Sequence, residues 1–305
     1  MKRLTPAQVD SACAYVDTQG RPLDRALLGF YFDEGSRAAV LEALASFQNP
    51  DGGFGHALEP DVRLDDSSVI ATTMALQTLR KVGADGGHAL VRGAVGYLLE
   101  HLDHEALAWS LVPEDVDRAP HAPWWNPEEP PAAFTANPGA EVVGYFHEWA
   151  PLVPAALLAH LTEAAMEHLR GLDEAPMHDL LCYESMRRSR GLPEGLRREM
   201  AGLMRPLVLR AVETDPAKWG SYCLKPLQVV DSPGSAYHAD FREAVEVELD
   251  TLVDGRDPDG AWPVNWSWGP DGGEAWERSE REWRGAIAVD HLRTLRRFGR
   301  IESVD

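Results

Sequence analysis

The sequence predicts an all-α fold built from repeated helical hairpins. Apolar residues recur at helical spacing through most of the 305 residues, and no strand ladder emerges. A turn is written twice. Gln48-Asn49-Pro50-Asp51-Gly52-Gly53-Phe54 matches Arg256-Asp257-Pro258-Asp259-Gly260-Ala261-Trp262 position by position, with Leu44 and Leu252 each four residues upstream. The stretches that follow, SVIATTMALQTLRKVG and GAIAVDHLRTLRRFGR, also echo each other. Such self-similarity marks units that cannot bury an apolar face alone.

Taken in order, residues 6–17 and 23–47 read as helix, with an interruption near 32–35. In the first turn, Gly52, Gly53 and Gly55 permit positive φ, Asp51 can bond to turn amides, and Phe54 can drop into a core. Asp65, Asp66 and Ser67 offer capping oxygens for a helix over 67–82, which Gly83 stops. Residues 87–102 complete an antiparallel pair. Residues 110–138 hold seven of the 22 prolines together with Trp124 and Trp125. They read as a long irregular loop, a class that is usually functional or disordered, and the paired tryptophans argue for order. Helices resume over 140–149, 154–170, 177–190 and 193–212, and residues 218–237 are turn-rich. Residues 239–253 and about 280–298 are the last helices. Ten or eleven helices make five or six hairpins, taken as a single domain over 1–305.

The bulk properties narrow the function. The net charge of −20 opposes nucleic acid and anionic membranes as partners. No stretch approaches the roughly 20 apolar residues of a membrane span. The start, MKRLTPAQVD, carries no apolar signal core, and Cys13, Cys182 and Cys223 are few, odd in number and far apart. These features predict a cytoplasmic, reducing setting.

The turn copies resemble the QW-type repeats of squalene–hopene and related terpene cyclases, a repeat style shared with protein prenyltransferase β subunits. Gln48, Gly52 and Phe54 fit that pattern, as do Gly260 and Trp262, with Arg256 in place of Gln. The resemblance implies an α/α toroid whose inner helices line a cavity. It also implies a site. Class II terpene cyclases carry a D-x-D-D motif whose middle acid protonates an alkene or epoxide. Arg63-Leu64-Asp65-Asp66 is the nearest match, with Asp65 at the donor place and Arg63 where the first Asp would stand. Neither Cys182 nor Cys223 aligns with the Asp-x-Cys zinc element of the prenyltransferases.

From the residues themselves, Asp51, His56, Glu59, Asp61, Asp65 and Asp66 crowd one connection. If several face a dry cavity, mutual repulsion and desolvation would raise at least one pKa, and a neutral carboxylic acid can donate a proton. Plain structural roles compete: Asp51 as a turn brace, Asp65 or Asp66 as helix caps. Glu59 and Asp61 have no such explanation, although Arg63 can pair with one. The expected catalytic set is therefore Asp65, Asp66, Glu59 and Asp61. The segment from Trp262 to Gly285 holds five of the ten tryptophans. Trp262 reads as core. Trp266 and Trp268, two apart, share a face if extended, and Glu282 and Arg284 flank Trp283. His56, Trp124, Trp125, Trp266, Trp268, Glu282 and Trp283 are the expected substrate contacts. His178 and Cys182 have a spacing that can hold zinc, but a buried thiol beside a hydrogen-bonded histidine is the commoner outcome. His101 and His104 read as a solvated face. No cofactor is predicted, with zinc and magnesium left open.

Three functions stay open at this point. One is acid-initiated chemistry on an apolar isoprenoid-type molecule. A second is carbohydrate cleavage by Glu59 or Asp61 with Glu282. The third is non-catalytic binding, in which the carboxylates all resolve as caps, braces and surface pairs.

Overall fold

The computed structural model describes residues 1–302. The described residues form twelve α-helices and short 3₁₀ turns, with isolated β-bridges in place of a sheet. The predicted all-α class is what they adopt. None of these helices is long and apolar enough to cross a membrane.

The chain divides into two compact units: Met1–Leu44 with residues from Val212 onward, and Ala45–Ala211. The first contains α1 (Pro6–Gln19), α2 (Pro22–Phe32), α3 (Arg37–Ala45, ending at the boundary) and then, far along the chain, its last three helices. Thr5 caps α1 with a reciprocal Gln8 bond, and Pro6 and Pro22 occupy first turns where no amide is needed. The break between α2 and α3 falls where the sequence places it, at a left-handed Glu34.

The second unit contains α4 (Val69–Lys81), α5 (Ala89–Glu100), α6 (Ala136–Glu148), α7 (Ala155–Arg170), α8 (Met177–Arg187) and α9 (Glu194–Ala211). Helix α6 is its centre and packs against α4, α7 and α8. Its sequence ANPGAEVVGYFHE is mostly apolar, and almost every residue is buried, Glu141 and His147 included. Val142, Val143 and Phe146 are wholly buried and stabilise the unit by about 1.5–3 kcal/mol each.

The sequence expectation needs three corrections. Helix α4 is capped by Ser68, which accepts from the Ala71 amide at 3.2 Å, so Asp65, Asp66 and Ser67 are not its caps. Helix α6 starts four residues early, at Ala136.

The remaining helices, α10 (Pro226–Val229), α11 (Arg242–Asp254) and α12 (Gly273–Arg297), close the first unit. The third correction is here: α12 begins at Gly273 rather than near 280. Trp276 packs on Trp268 with ring centroids 6.1 Å apart, which gives the extra turns an apolar anchor that the glycine-rich sequence hides.

Candidate functional site

The two turn copies share one hydrogen-bond scheme. In the first, Asn49 N–H donates to the Gly53 carbonyl (2.9 Å), Gly52 N–H to the Asn49 carbonyl (3.0 Å), and Gly53 N–H to Asp51 Oδ1 (2.9 Å). In the second, Asp257 N–H donates to the Ala261 carbonyl (2.8 Å), Gly260 N–H to the Asp257 carbonyl (2.9 Å), and Ala261 N–H to Asp259 Oδ1 (3.1 Å). Phe54 and Trp262 are both buried, as their shared position predicts. Gln48 anchors the first turn by donating to the carbonyls of Gly52 (2.9 Å) and Leu90 (3.3 Å). Arg256, at the Gln48 position, reaches the Gln8 carbonyl instead (3.4 Å).

From the first turn the acidic connection runs to α4, and it sorts its acids by burial. Asp51 is a brace: besides the turn amide it accepts from Ser67 Oγ at 2.8 Å. Asp65 and Asp66 are exposed. Asp65 meets His56 Nδ1 at 3.3 Å, and the other His56 nitrogen lies 2.9 Å from Asn49 Oδ1. Asp66 pairs with Arg118, which also holds Asp115 at 2.8 Å. Glu59 and Asp61 are 5% and 3% exposed, and the Asp61 amide donates to Glu59 Oε1 at 3.4 Å.

The proline- and tryptophan-rich loop is clamped over this connection. Arg63 N–H donates to the Pro120 carbonyl and Ala122 N–H to the Asp61 carbonyl, each at 2.9 Å, around a Val62–His121 bridge. Val62, Leu64 and Val116 form a small apolar cluster, and Trp125 packs on it with its indole N–H buried and without a partner among the described residues. Trp124 is exposed. The loop is thus tied to the backbone on either side of Val62, next to the two buried acids.

Trp266, Trp268, Glu282 and Trp283 belong to the other unit. Trp266 meets Trp283 edge-on at 5.4 Å, and Trp268 is buried, with its ring centroid 6.1 Å from that of Trp276. Glu282 pairs with Arg278 at 3.1 Å, one turn away.

Helix α8 carries His178 exposed and Cys182 buried. Burial pushes the Cys182 thiol well above its ordinary value, so it stays protonated; its Sγ lies 3.7 Å from Asn137 Oδ1. Among the described residues no group of three or more His, Cys, Asp or Glu side chains is arranged to hold a metal. His101 stacks on Tyr97 at 3.9 Å.

Asp24, Glu141, Glu184 and Glu248 are buried carboxylates that no sequence motif singles out, and Glu141 on α6 sits at the centre of its unit. It accepts from the Tyr145 hydroxyl (2.6 Å), Ser185 Oγ (3.0 Å) and the Gln77 amide (3.4 Å). Arg80 donates to the Ser185 side chain and carbonyl and lies over the Tyr145 ring. The signal is a Glu in the middle of the apolar run of α6, a position where carboxylates survive only when partnered.

No protein-family model matches this sequence, and no curated protein matches it. Among solved structures, a protein from Actinoplanes is similar in fold, with a TM-score of 0.54 and 15% identity over 94% of this chain and 98% of its own. The type II terpene cyclase MstE from Scytonema, solved without ligand, aligns with a TM-score of 0.49 and 13% identity over 95% of this chain and 97% of its own.

Proposed function

We propose that this chain is a terpene-cyclase-like protein that takes an apolar isoprenoid-type small molecule and acts on it by proton donation from a carboxylic acid. One observation carries the reading: Glu59 and Asp61 are withdrawn from water, two residues apart, beneath a loop that brings Trp125 onto Val62, Leu64 and Val116. Protonating an alkene requires an acid shielded from water and a surface that tolerates a carbocation, which indole faces provide. Asp65 and Asp66 are exposed and lie against His56 and Arg118, so neither is shielded from water as Glu59 and Asp61 are. We assign the donor role to Asp61 or Glu59 and aromatic contacts to Trp125 and Trp124. Trp266, Trp268 and Trp283 are kept as an aromatic contact surface of their own unit.

The test is turnover of linear polyprenyl alcohols and diphosphates by purified protein, with products identified by mass spectrometry. Turnover abolished in D61N or E59Q and retained in the D65N/D66N double variant is the expected result. Equal turnover in all variants would remove these acids from the chemistry. A second reading, non-catalytic binding, is favoured by Asp51, Asp65 and Asp66 resolving as a brace and two surface pairs. Ligand binding without product in wild type would select it.

A further inference from the structure

We propose that the groove between α1, the second turn and α12 binds a small molecule through an oxyanion, carboxylate or phosphate, with Arg281 as the anchoring cation. The groove has a volume of about 480 Å³ and is lined by Ser11, Tyr15, Gln19, Asp259, Arg281 and Arg284, among others. That is the size range of small-molecule sites.

The charges on its walls are unequally committed. Arg284 is spent: it donates to Asp257 at 2.8 Å and Asp259 at 2.9 Å, and its guanidinium lies 4.9 Å from the centre of the Tyr15 ring. Asp259, the carboxylate of the wall, is thereby paired and is also held by the turn amide of Ala261. Arg281 sits one turn earlier on α12. It has no ion pair or hydrogen bond among the described residues, in a chain where acids outnumber bases 49 to 29. The Ser11 hydroxyl and the Gln19 amide are equally uncommitted among those residues. The buried Tyr15 hydroxyl also meets no partner.

Two arginines face two carboxylates, Asp257 and Asp259, and both carboxylates are held by Arg284, so Arg281 is the cation left to an incoming group, beside the apolar surface of Ala14 and the Tyr15 ring. Its complement is an acceptor-rich anion on an apolar body. A guanidinium matches the two oxygens of a carboxylate or phosphate in one plane. The overall negative charge of the chain repels anions in general, so affinity must come from this local arrangement. The inference does not depend on the acid chemistry proposed for the other unit.

The experiment is calorimetric titration of the full chain with phenyl phosphate and with benzoate. Saturable binding of at least one probe is expected, weakened at least tenfold in R281A and in the charge-neutral R281Q, and weakened by added salt. Circular dichroism of both variants should match wild type, because Arg281 is exposed. Which probe binds distinguishes phosphate from carboxylate. Failure of both probes to bind wild type, or unchanged affinity in the two variants, would overturn the assignment.

Discussion

The Tyr145 hydroxyl donates to Glu141 Oε1 across 2.6 Å, one turn apart on the fully buried helix α6. Through Ser185 and Gln77 the same carboxylate joins α4, α6 and α8. Burial, reinforced by the Glu141 charge, raises the Tyr145 hydroxyl well above its ordinary range, so it remains a donor. The E141A variant strips the partner from two buried hydroxyls and should lose roughly 2–4 kcal/mol of stability. E141Q keeps an acceptor oxygen and should lose less. Urea denaturation of both variants measures the difference.

The two turns depend on glycine for a backbone reason. Gly52 has φ of 87°, and a Cβ there would lie 2.7 Å from the Gly93 carbonyl oxygen. Gly260 has φ of 96°, with the Ser11 backbone oxygen at 2.6 Å from the same added atom. G52A and G260A should each lower stability by roughly 1–3 kcal/mol or more. Gly83, at φ of 70° but with open space around it, carries only the conformational part, so G83A should cost less. Thermal melts that rank G83A below the other two would contradict this.

Ser68, not the acids before it, caps α4. S68A should cost about 1 kcal/mol. D65N and D66N remove only exposed pairs and should stay within about 0.5 kcal/mol of wild type. Chemical denaturation of the three variants side by side tests the assignment.

Stability should carry a pH signature from Glu248. Its carboxylate is buried on α11 and accepts from the Leu227 amide of α10 at 2.8 Å. Burial pushes it from 4.5 up to about 7, despite that bond and nearby Lys225. The folded chain therefore holds a proton that the unfolded chain releases. Its stabilising effect is full below about pH 4.5 and is lost as pH rises through 7, a difference of roughly 3 kcal/mol. His291 acts oppositely: burial lowers it from 6.5 to about 4, so stability is lost as pH falls from 6.5 through 4. The two partly cancel between them, and the difference between E248Q and wild type isolates the Glu248 part. E248Q should gain on wild type as pH rises from 5 to 8; parallel curves would refute the shift.

Much of the helical order was legible in sequence because capping, helix breaking and amphipathic spacing are local. The turn repeat was legible for the same reason: Asp51 and Asp259 bond amides only two residues away. The candidate site was legible only as a cluster of acids. The family resemblance points to Asp65 and Asp66, while the residues themselves leave Glu59 and Asp61 without a structural role; motif spacing records residue type and not depth.

Sequence by itself determined the helical class, the two matched turns and the irregular backbone of the proline-rich stretch over 110–138, since each follows from neighbours within a few residues. Tertiary packing alone decided which acids are dry. Arg118 reaches back 52 residues to Asp66, Pro120 and Ala122 seal the backbone around Asp61, and Ser185 lies 44 residues beyond Glu141. Burial of a carboxylate depends on what the rest of the chain lays over it, and that is a property of contacts that no local pattern encodes.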